Sequence, residues 1–206
     1  MNSLEEIAQL VRNCTDCALH EERTKAVPGE GAPDADIMFI GEGPGYQEDR
    51  QGRPFVGPAG QFLEELLASI GLRREQVFIA NMVKCRPPQN RDPQPAEISA
   101  CSKYLDRQIE LIDPDLIVTL GRFSLARFFP GESISRAHGK LRQKDGRYVY
   151  PVMHPAAGLH RQELRSVIMQ DFTAIPEVLE SARRSTADVT ETQQEEMPPP
   201  EQLSLF

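Results

Sequence analysis

Residues 36 to 49 read DIMFIGEGPGYQED, a short apolar run that passes directly into a glycine-rich polar loop. Three similar runs follow, at 76 to 83 (QVFIANMV), 115 to 121 (DLIVTLG) and 148 to 153 (YVYPVM). Each run is rich in Ile, Val, Phe or Met and is followed by Gly, Pro or Asn, which is typical of a buried strand.

Stretches with a helical period separate these runs. Helices are predicted at a Ser3-x-x-Glu6 capping box, from Pro58 to 70, from Pro95 to 112 and from about 162 to 179. Strands and helices in alternation predict an α/β fold, with a parallel sheet covered by helices on both faces.

Length and composition describe an ordinary globular protein. The chain has 206 residues, with 31 Asp or Glu against 23 Lys or Arg, which gives a formal net charge of -8. Hydrophobic residues make up 39 %, and no apolar run approaches the ~20 residues that a membrane-spanning helix needs. The amino-terminal stretch MNSLEEIAQLVRNC does not resemble a secretory signal, so a cytoplasmic location is expected.

The composition changes near the C-terminus. From about Ser181 the chain is dominated by Ser, Thr, Gln and Glu, with three consecutive prolines at 198 to 200. Little in this segment can be buried, which is typical of a disordered tail. We therefore expect a folded domain over residues 1 to 180 and an acidic disordered tail over 181 to 206.

Polar residues and one phenylalanine follow the predicted strands, at the edge of the sheet where ligands bind in such folds. They are Glu42, Glu48, Phe55, Asn81, Asn90 and His154. Each also has a structural interpretation: the nearby glycines as a tight turn, Glu48 as a cap, Phe55 as core, and a lone Asn or His as a loop hydrogen-bond partner. Their convergence on one crevice favours a binding site.

The chemistry of this set suits a flat heterocycle. An Asn amide offers an acceptor and donors, which match the N3–H donor and the O4 acceptor of uracil, whereas cytosine presents the inverse pattern. Asn81 is therefore expected to select uracil over cytosine. A phenyl face such as that of Phe55 stacks on a base without choosing among bases.

Four cysteines are grouped in two pairs along the chain: Cys14, Cys17, Cys85 and Cys101. In a reducing compartment, four thiolates favour a metal site over disulfides, and they fit either zinc or an iron-sulfur cluster. Spacing alone does not choose between these, and four unrelated buried cysteines are the alternative. Such a site would join the N-terminus to the loop at 85 to 101 and so fix the position of Asn90.

Basic residues are concentrated in two segments despite the negative net charge. Residues 136 to 147 contain Arg136, Lys140, Arg142, Lys144 and Arg147 against Asp145, and the loop around Cys85 carries Lys84, Arg86 and Arg91. Because both segments should border the crevice, contact with DNA phosphates is favoured over a solvated hairpin face.

Five ordered motifs carry a family resemblance. The segments GEGPGYQED, GRPFVGPAGQ, NMVKCRPPQNRDP and HPAAGL, with the four-cysteine spacing, resemble a family 4 uracil-DNA glycosylase over residues 3 to 175. The resemblance implies a four-stranded parallel sheet in a three-layer α/β/α sandwich, hydrolytic excision of uracil from DNA in base excision repair, and a [4Fe-4S] cluster on the four cysteines.

The resemblance also implies a role for each site residue. Glu42 and Gly43 would line the site of the catalytic water, Asn90 would help place that water, Glu48 would block the 5-methyl group of thymine, Phe55 would stack on uracil, Asn81 would read its edge, and His154 would donate to O2. Leu159 is the candidate wedge that fills the gap left by the flipped nucleotide.

Two departures from the family pattern stand out. Many relatives have Ser after the His-Pro, where this chain has Ala156, so a hydroxyl contact to phosphate is not expected there. A related branch forms a covalent adduct through a histidine in an Arg-rich loop. Residues 84 to 95 contain no His, which favours ordinary turnover.

The last five residues are QLSLF, with Gln202, Leu203, Leu205 and Phe206 as the distinctive positions. This pentapeptide resembles the motif by which bacterial replication and repair proteins bind the sliding clamp, and its place on a disordered linker favours that interpretation. The alternative is an end that folds back onto its own domain.

Two other function classes remain as alternatives. An electron carrier or redox sensor would use the four cysteines, but it would not need Asn81, Phe55 and His154 at the strand ends. A non-catalytic DNA-binding module stapled by zinc or by an iron-sulfur cluster would leave no abasic product. The leading expectation is a monomeric enzyme that acts on uracil-containing DNA.

Overall fold

The structure is a computed structural model that describes residues 1–159 and 161–195. The strands in this part of the chain are β1 (Glu30–Gly31), β2 (Ile37–Gly41), β3 (Phe78–Asn81), β4 (Leu116–Leu120), β5 (Arg142–Lys144) and β6 (Arg147–Val152). They form one sheet in the order β1-β3-β2-β4-β6-β5.

The centre of this sheet confirms the prediction of four parallel strands. Strands β3, β2, β4 and β6 run parallel, while β1 and β5 pair antiparallel at the two edges. The four-stranded parallel sheet that the resemblance implies is therefore present, and the two edge strands extend it to a mixed sheet of six strands. The edge strands are only two and three residues long, too short to give a periodic pattern in the sequence.

The helices of the described residues are α1 (Leu4–Asn13), α2 (Leu19–Glu22), α3 (Tyr46–Gln51), α4 (Pro58–Ser69), α5 (Pro95–Ile112), α6 (Arg122–Phe128), α7 (Ile134–Ala137), α8 (Pro155–Gly158), α9 (Gln162–Thr173) and α10 (Ile175–Glu195). Three of them, α1, α4 and α5, begin where the capping box and the prolines predict their starts. Ser3 caps α1 by accepting a hydrogen bond from the Glu6 backbone N–H at 3.1 Å.

Two apolar cores on opposite faces of the sheet confirm the three-layer α/β/α class. Helices α4 and α9 pack on one face, where Phe39 of β2 stacks on Phe172 of α9 with ring centroids 5.7 Å apart. Helices α5 and α6 pack on the other face, where Leu105 and Leu125 lie in the same core as Ile117 of β4. Because successive strand residues point to opposite faces, both sides of each central strand are buried.

The helix predicted over 162 to 179 is two helices. It is interrupted at Ala174, and Pro176, which has no N–H to donate, stands in the first turn of α10. Helix α10 continues across the predicted boundary at 180 to Glu195. Ala182, beyond that boundary, is buried. The last part of the predicted tail, residues 196–206, lies outside the described part of the chain.

One arginine ties α10 to the sheet. Arg183 pairs with Asp36 at 2.8 Å and with Asp115 at 2.7 Å. These two carboxylates directly precede β2 and β4, so the anchor lies at the amino ends of the parallel strands.

Among the described residues, no helix is both long and apolar enough to cross a membrane.

Candidate active site

A pocket of about 250 Å³ opens at the edge where the parallel strands end. The loops after β2, β3 and β6 supply most of its lining. The lining residues are Glu42, Gly43, Pro44, Gly45, Glu48, Phe55, Ala59, Asn81, Pro87, Asn90, Arg91, His154 and Ala156. All the residues that the sequence assigns to catalysis and to substrate binding therefore meet in one cavity.

Asn81 is the last residue of β3 and lies opposite Gly41 of β2 in the parallel register. Its side chain is buried, and its Oδ1 has no hydrogen-bond partner among the described residues. A Cβ on Gly41 would lie 2.4 Å from that oxygen and 2.8 Å from the Phe55 ring, so only glycine leaves room there. Since buried polar atoms are normally paired, this oxygen is an acceptor available to a ligand.

The loop that carries Phe55 is held in a strained conformation. Phe55 has a positive φ of 51°, which costs a bulky residue ~1–3 kcal/mol unless neighbouring contacts enforce it. The Glu48 carboxylate accepts hydrogen bonds from the Val56 and Gly57 backbone N–H groups at 2.9 and 2.8 Å. From the other side, Arg74 donates to the Phe55 carbonyl at 3.0 Å.

Helix α4 packs tightly against the same loop. A Cβ on Gly60 would lie 2.0 Å from the Phe55 carbonyl oxygen, so the helix and the loop touch backbone to backbone. Arg74 and Gly60 support the site without lining it. Gly60 belongs to the quoted motif GRPFVGPAGQ, whereas Arg74 lies outside all the quoted motifs. The Glu48 carboxylate accepts hydrogen bonds from the backbone of this loop and also lines the pocket. It therefore combines the capping role and the binding position that the sequence offers as alternatives.

His154 precedes α8 and faces Phe55, with the two ring centroids 5.6 Å apart. Its Nδ1 accepts a hydrogen bond from the Ala156 backbone N–H at 3.2 Å, which leaves Nε2 as the proton-bearing nitrogen of the neutral ring. Burial lowers the pKa of His154 to about 4, against the opposing effect of the Glu48 carboxylate. The imidazole is therefore a neutral hydrogen-bond donor at pH 7.

Glu42 and Asn90 lie at the opening of the pocket. Burial raises the pKa of Glu42 above its usual value, and Asp92 raises it further, while Arg122 opposes them. A carboxylate of raised pKa is a better proton acceptor than a fully solvated one. Asn90 has a positive φ of 56°, and its Oδ1 accepts a hydrogen bond from the Arg86 Nε–H at 2.7 Å.

The four cysteines line a second cavity, together with Arg23, Lys84 and Tyr104. All four are free thiols in this structure. The Arg23 guanidinium donates to the Cys85 Sγ at 3.1 Å, and the Lys84 backbone N–H donates to the Cys101 Sγ at 3.3 Å. In the part of the chain that the structure describes, no group of three or more His, Cys, Asp or Glu side chains is placed to hold a metal ion.

The cations predicted to meet DNA have different surroundings. Arg91 lines the pocket but donates two hydrogen bonds to the Glu97 carboxylate, at 2.6 and 2.9 Å. Arg142 pairs with Glu132 and lies 3.9 Å from the centroid of the Phe129 ring. Both charges are therefore already partly compensated within the protein.

The other predicted DNA contacts include one error. Lys84 is buried, and its Nζ donates to Gln108 at 2.7 Å, so the prediction that it flanks the DNA is wrong. Lys140 is exposed and donates to the Arg136 carbonyl at 2.9 Å. Leu159, the candidate wedge, is partly buried and packs against the core beneath α8.

Comparison with known proteins agrees with this geometry. The model of the uracil DNA glycosylase superfamily matches residues 28–173. The type-4 uracil-DNA glycosylase of Sulfurisphaera tokodaii is 50 % identical over 199 residues, which cover 91 % of this chain and 90 % of the relative. Those of Archaeoglobus fulgidus and Thermotoga maritima are each 47 % identical, covering 86 % and 82 % of this chain and 94 % and 91 % of the relatives. The chain therefore belongs to the uracil DNA glycosylase superfamily, and within it to the type-4 uracil-DNA glycosylases.

Proposed function

We propose that this protein is a DNA repair enzyme that takes a flipped uracil into the pocket and hydrolyses its N-glycosidic bond, leaving an abasic site. The observation that carries the proposal is the unpaired, buried Oδ1 of Asn81 in the same cavity as a neutral His154. The names of the relatives, type-4 uracil-DNA glycosylases, support it. The alternative of a non-catalytic or redox-sensing module is not favoured, because it needs neither residue.

Recognition of uracil follows from the lining of the pocket. The Asn81 Oδ1 accepts from uracil N3–H and the amide nitrogen donates to O4, while the Phe55 ring stacks on the base. Cytosine places an acceptor at position 3 and a donor at position 4, so its binding would leave buried polar groups unpaired. Glu48 and Gly43 shape the rest of the lining, and Glu48 excludes the 5-methyl group of thymine.

The hydrolysis step is assigned to the residues that would lie beside the deoxyribose of the flipped nucleotide. Water attacks C1′ of the deoxyribose, the bond from C1′ to N1 breaks, and its electron pair leaves with uracil as an anion. Glu42 accepts the proton of the water, which Asn90 helps to place, and the Nε2–H of His154 donates to O2 as negative charge develops there. A fixed donor that binds the anion more strongly than the neutral base lowers the barrier.

The excision assay tests this function directly. Purified protein is incubated with labelled oligonucleotides that carry one uracil, thymine or cytosine at the same position, and alkali then cleaves any abasic site. We expect cleavage at uracil and none at thymine or cytosine. Intact uracil-containing strands at stoichiometric enzyme would contradict the proposed reaction.

The four cysteines are proposed to hold a [4Fe-4S] cluster. What supports this is the donor set: four thiols from three chain segments line one cavity, and two N–H groups donate to their sulfur atoms. Zinc remains the alternative from the sequence. The cluster would join the segment after α1 to the loop that bears Asn90, a structural contribution, because hydrolysis involves no net electron transfer.

Metal analysis distinguishes these two groups. Protein purified without oxygen should contain about four iron atoms per chain and absorb near 400 nm. Cys101→Ser should lose most of the iron and unfold at a lower temperature, because the segment after α1 is then no longer joined to α5. Ser102→Ala, at a partly exposed neighbouring position, is the matched control and should keep both. Stoichiometric zinc with no iron would overturn the cluster.

DNA binding is proposed to involve Arg86, Arg91, Lys140 and Arg142 as phosphate contacts, with Leu159 as the wedge. A flipped base requires a few kcal/mol of unstacking energy, which such contacts offset. We propose that the enzyme is a cytoplasmic monomer, as the sequence predicts.

The C-terminal pentapeptide is proposed to bind the sliding clamp. Its residues, Gln202, Leu203, Leu205 and Phe206, lie outside the described part of the chain, so the proposal rests on the sequence. Deleting residues 202 to 206 should abolish binding to immobilised clamp and leave excision on short DNA unchanged. Equal clamp binding by the full and truncated chains would contradict it.

A further inference from the structure

An exposed tyrosine stands at the rim of the pocket. Tyr46 begins α3 directly after Gly45, which lines the cavity. Its side chain is 51 % exposed, and only Leu10 and Met169 are comparably exposed among the large hydrophobic residues that the structure describes. An aromatic ring left open beside a binding pocket is a common feature of contact surfaces.

Two guanidinium groups flank this ring. Arg50 lies one turn further along α3, 5.7 Å from the ring centroid, and donates to the Tyr46 hydroxyl at 3.3 Å. Arg86 comes from the loop after β3 and lies 5.2 Å from the centroid. Because Arg86 also donates to Asn90, this group of side chains is continuous with the lining of the pocket.

The charges of these two arginines are not compensated locally. Among the described residues, neither Arg50 nor Arg86 is within ion-pair distance of a carboxylate. Arg91, which lines the pocket, and Arg122, whose charge acts on Glu42, pair with Glu97 and Asp92. A cation without a carboxylate partner can bind a phosphate without first breaking an ion pair.

We propose that Tyr46, Arg50 and Arg86 form a platform for the DNA strand beside the flipped uracil. The tyrosine ring packs against the neighbouring base, and the two guanidiniums bind the flanking phosphates. Aromatic rings interleaved with cations are the usual means of binding single-stranded nucleic acid. The platform deepens the proposed function and rests on it, since it assigns the contacts of the strand outside the pocket.

Affinity measurements test the stacking contact. The probe is a single-stranded oligonucleotide with one tetrahydrofuran abasic-site analogue, which cannot be cleaved by excision. Tyr46→Ala should raise its dissociation constant by about 5- to 150-fold, the range for loss of one stacked base. Tyr46→Phe keeps the ring and should retain most of the affinity. An Ala variant that binds as tightly as the wild type would overturn the platform.

Salt dependence tests the phosphate contacts. Arg50→Gln should lower the slope of log affinity against log salt by about 1, as expected for one lost phosphate contact. Arg53→Gln is the matched control, because Arg53 is exposed but already pairs with Glu30 at 2.8 Å. Equal slopes for the wild type and both variants would remove Arg50 from the platform.

Fluorescence reports on the position of the ring itself. The chain contains no Trp, so Tyr46→Trp introduces a single reporter, and Met169→Trp gives a control of similar exposure that does not line this pocket. The oligonucleotide should quench the first and not the second. Absence of quenching with binding intact would overturn the platform while excision stands, whereas failure of excision with quenching intact would overturn the reaction alone.

Discussion

Replacing His154 by alanine should lower the single-turnover rate of uracil excision by about 10²- to 10³-fold, the usual cost of removing one donor to a developing anion. The loss should fall on the chemical step, because the anion at O2 forms only as the glycosidic bond breaks. The measurement is excision of uracil from a short oligonucleotide with enzyme in excess. A rate equal to that of the wild type would refute the role of His154.

The protonation state of His154 gives a second readout. Because its pKa is lowered to about 4, the wild-type rate should show no inflection near 6.5, the pKa of an unperturbed histidine. Glu42 must be ionised to accept a proton, and its raised pKa means that the rate is lost as the pH falls towards and through that value. His154→Gln keeps a donor that does not titrate, so the acid loss should persist in that variant.

Gly60→Ala should lower the rate of excision by about 10²-fold although residue 60 does not line the pocket. The added Cβ would lie 2.0 Å from the Phe55 carbonyl oxygen, so the loop must move by about 1 Å, a displacement that can cost this much in rate. Overpacking of this kind also costs about 1–3 kcal/mol of unfolding free energy. Urea denaturation and single-turnover excision measure the two effects.

The neighbouring residue provides the control for this variant. Gln61→Ala lies on the exposed side of α4 and should change the unfolding free energy by no more than ~0.5 kcal/mol. It should leave excision unchanged. Full activity of Gly60→Ala would show that the Phe55 loop is not held by its contact with α4.

The central fold was predictable because its signals are local. The four parallel strands and the starts of α4 and α5 follow from apolar runs and from prolines within the segments themselves. A hairpin over residues 136 to 147 is considered in the sequence only as the alternative to a DNA contact, although Asp145-Gly146, both with positive φ, is the dipeptide that favours a tight hairpin turn. The break before Pro176 was likewise visible in the sequence as a proline inside a helical pattern.

The sequence predicts which residues form the candidate site, but it does not predict the contacts that surround them. Parallel strands place their carboxyl ends at one edge, which is why Asn81 and His154 were expected to meet. The burial of Lys84 could not be inferred, because its partner, Gln108, lies 24 residues away on α5. The pairing of Arg91 with Glu97 and the contact of Gly60 with the Phe55 loop join residues close in sequence, but both depend on the path of an irregular loop, which no periodic pattern encodes.

The anchor at Arg183 has a consequence for how the enzyme works beside other proteins. It binds α10 to the amino ends of β2 and β4, whereas the pocket lies at their carboxyl ends. Helix α10 is thus held at the end of the sheet that lies away from the pocket. A protein bound on that side of the molecule would leave the pocket open.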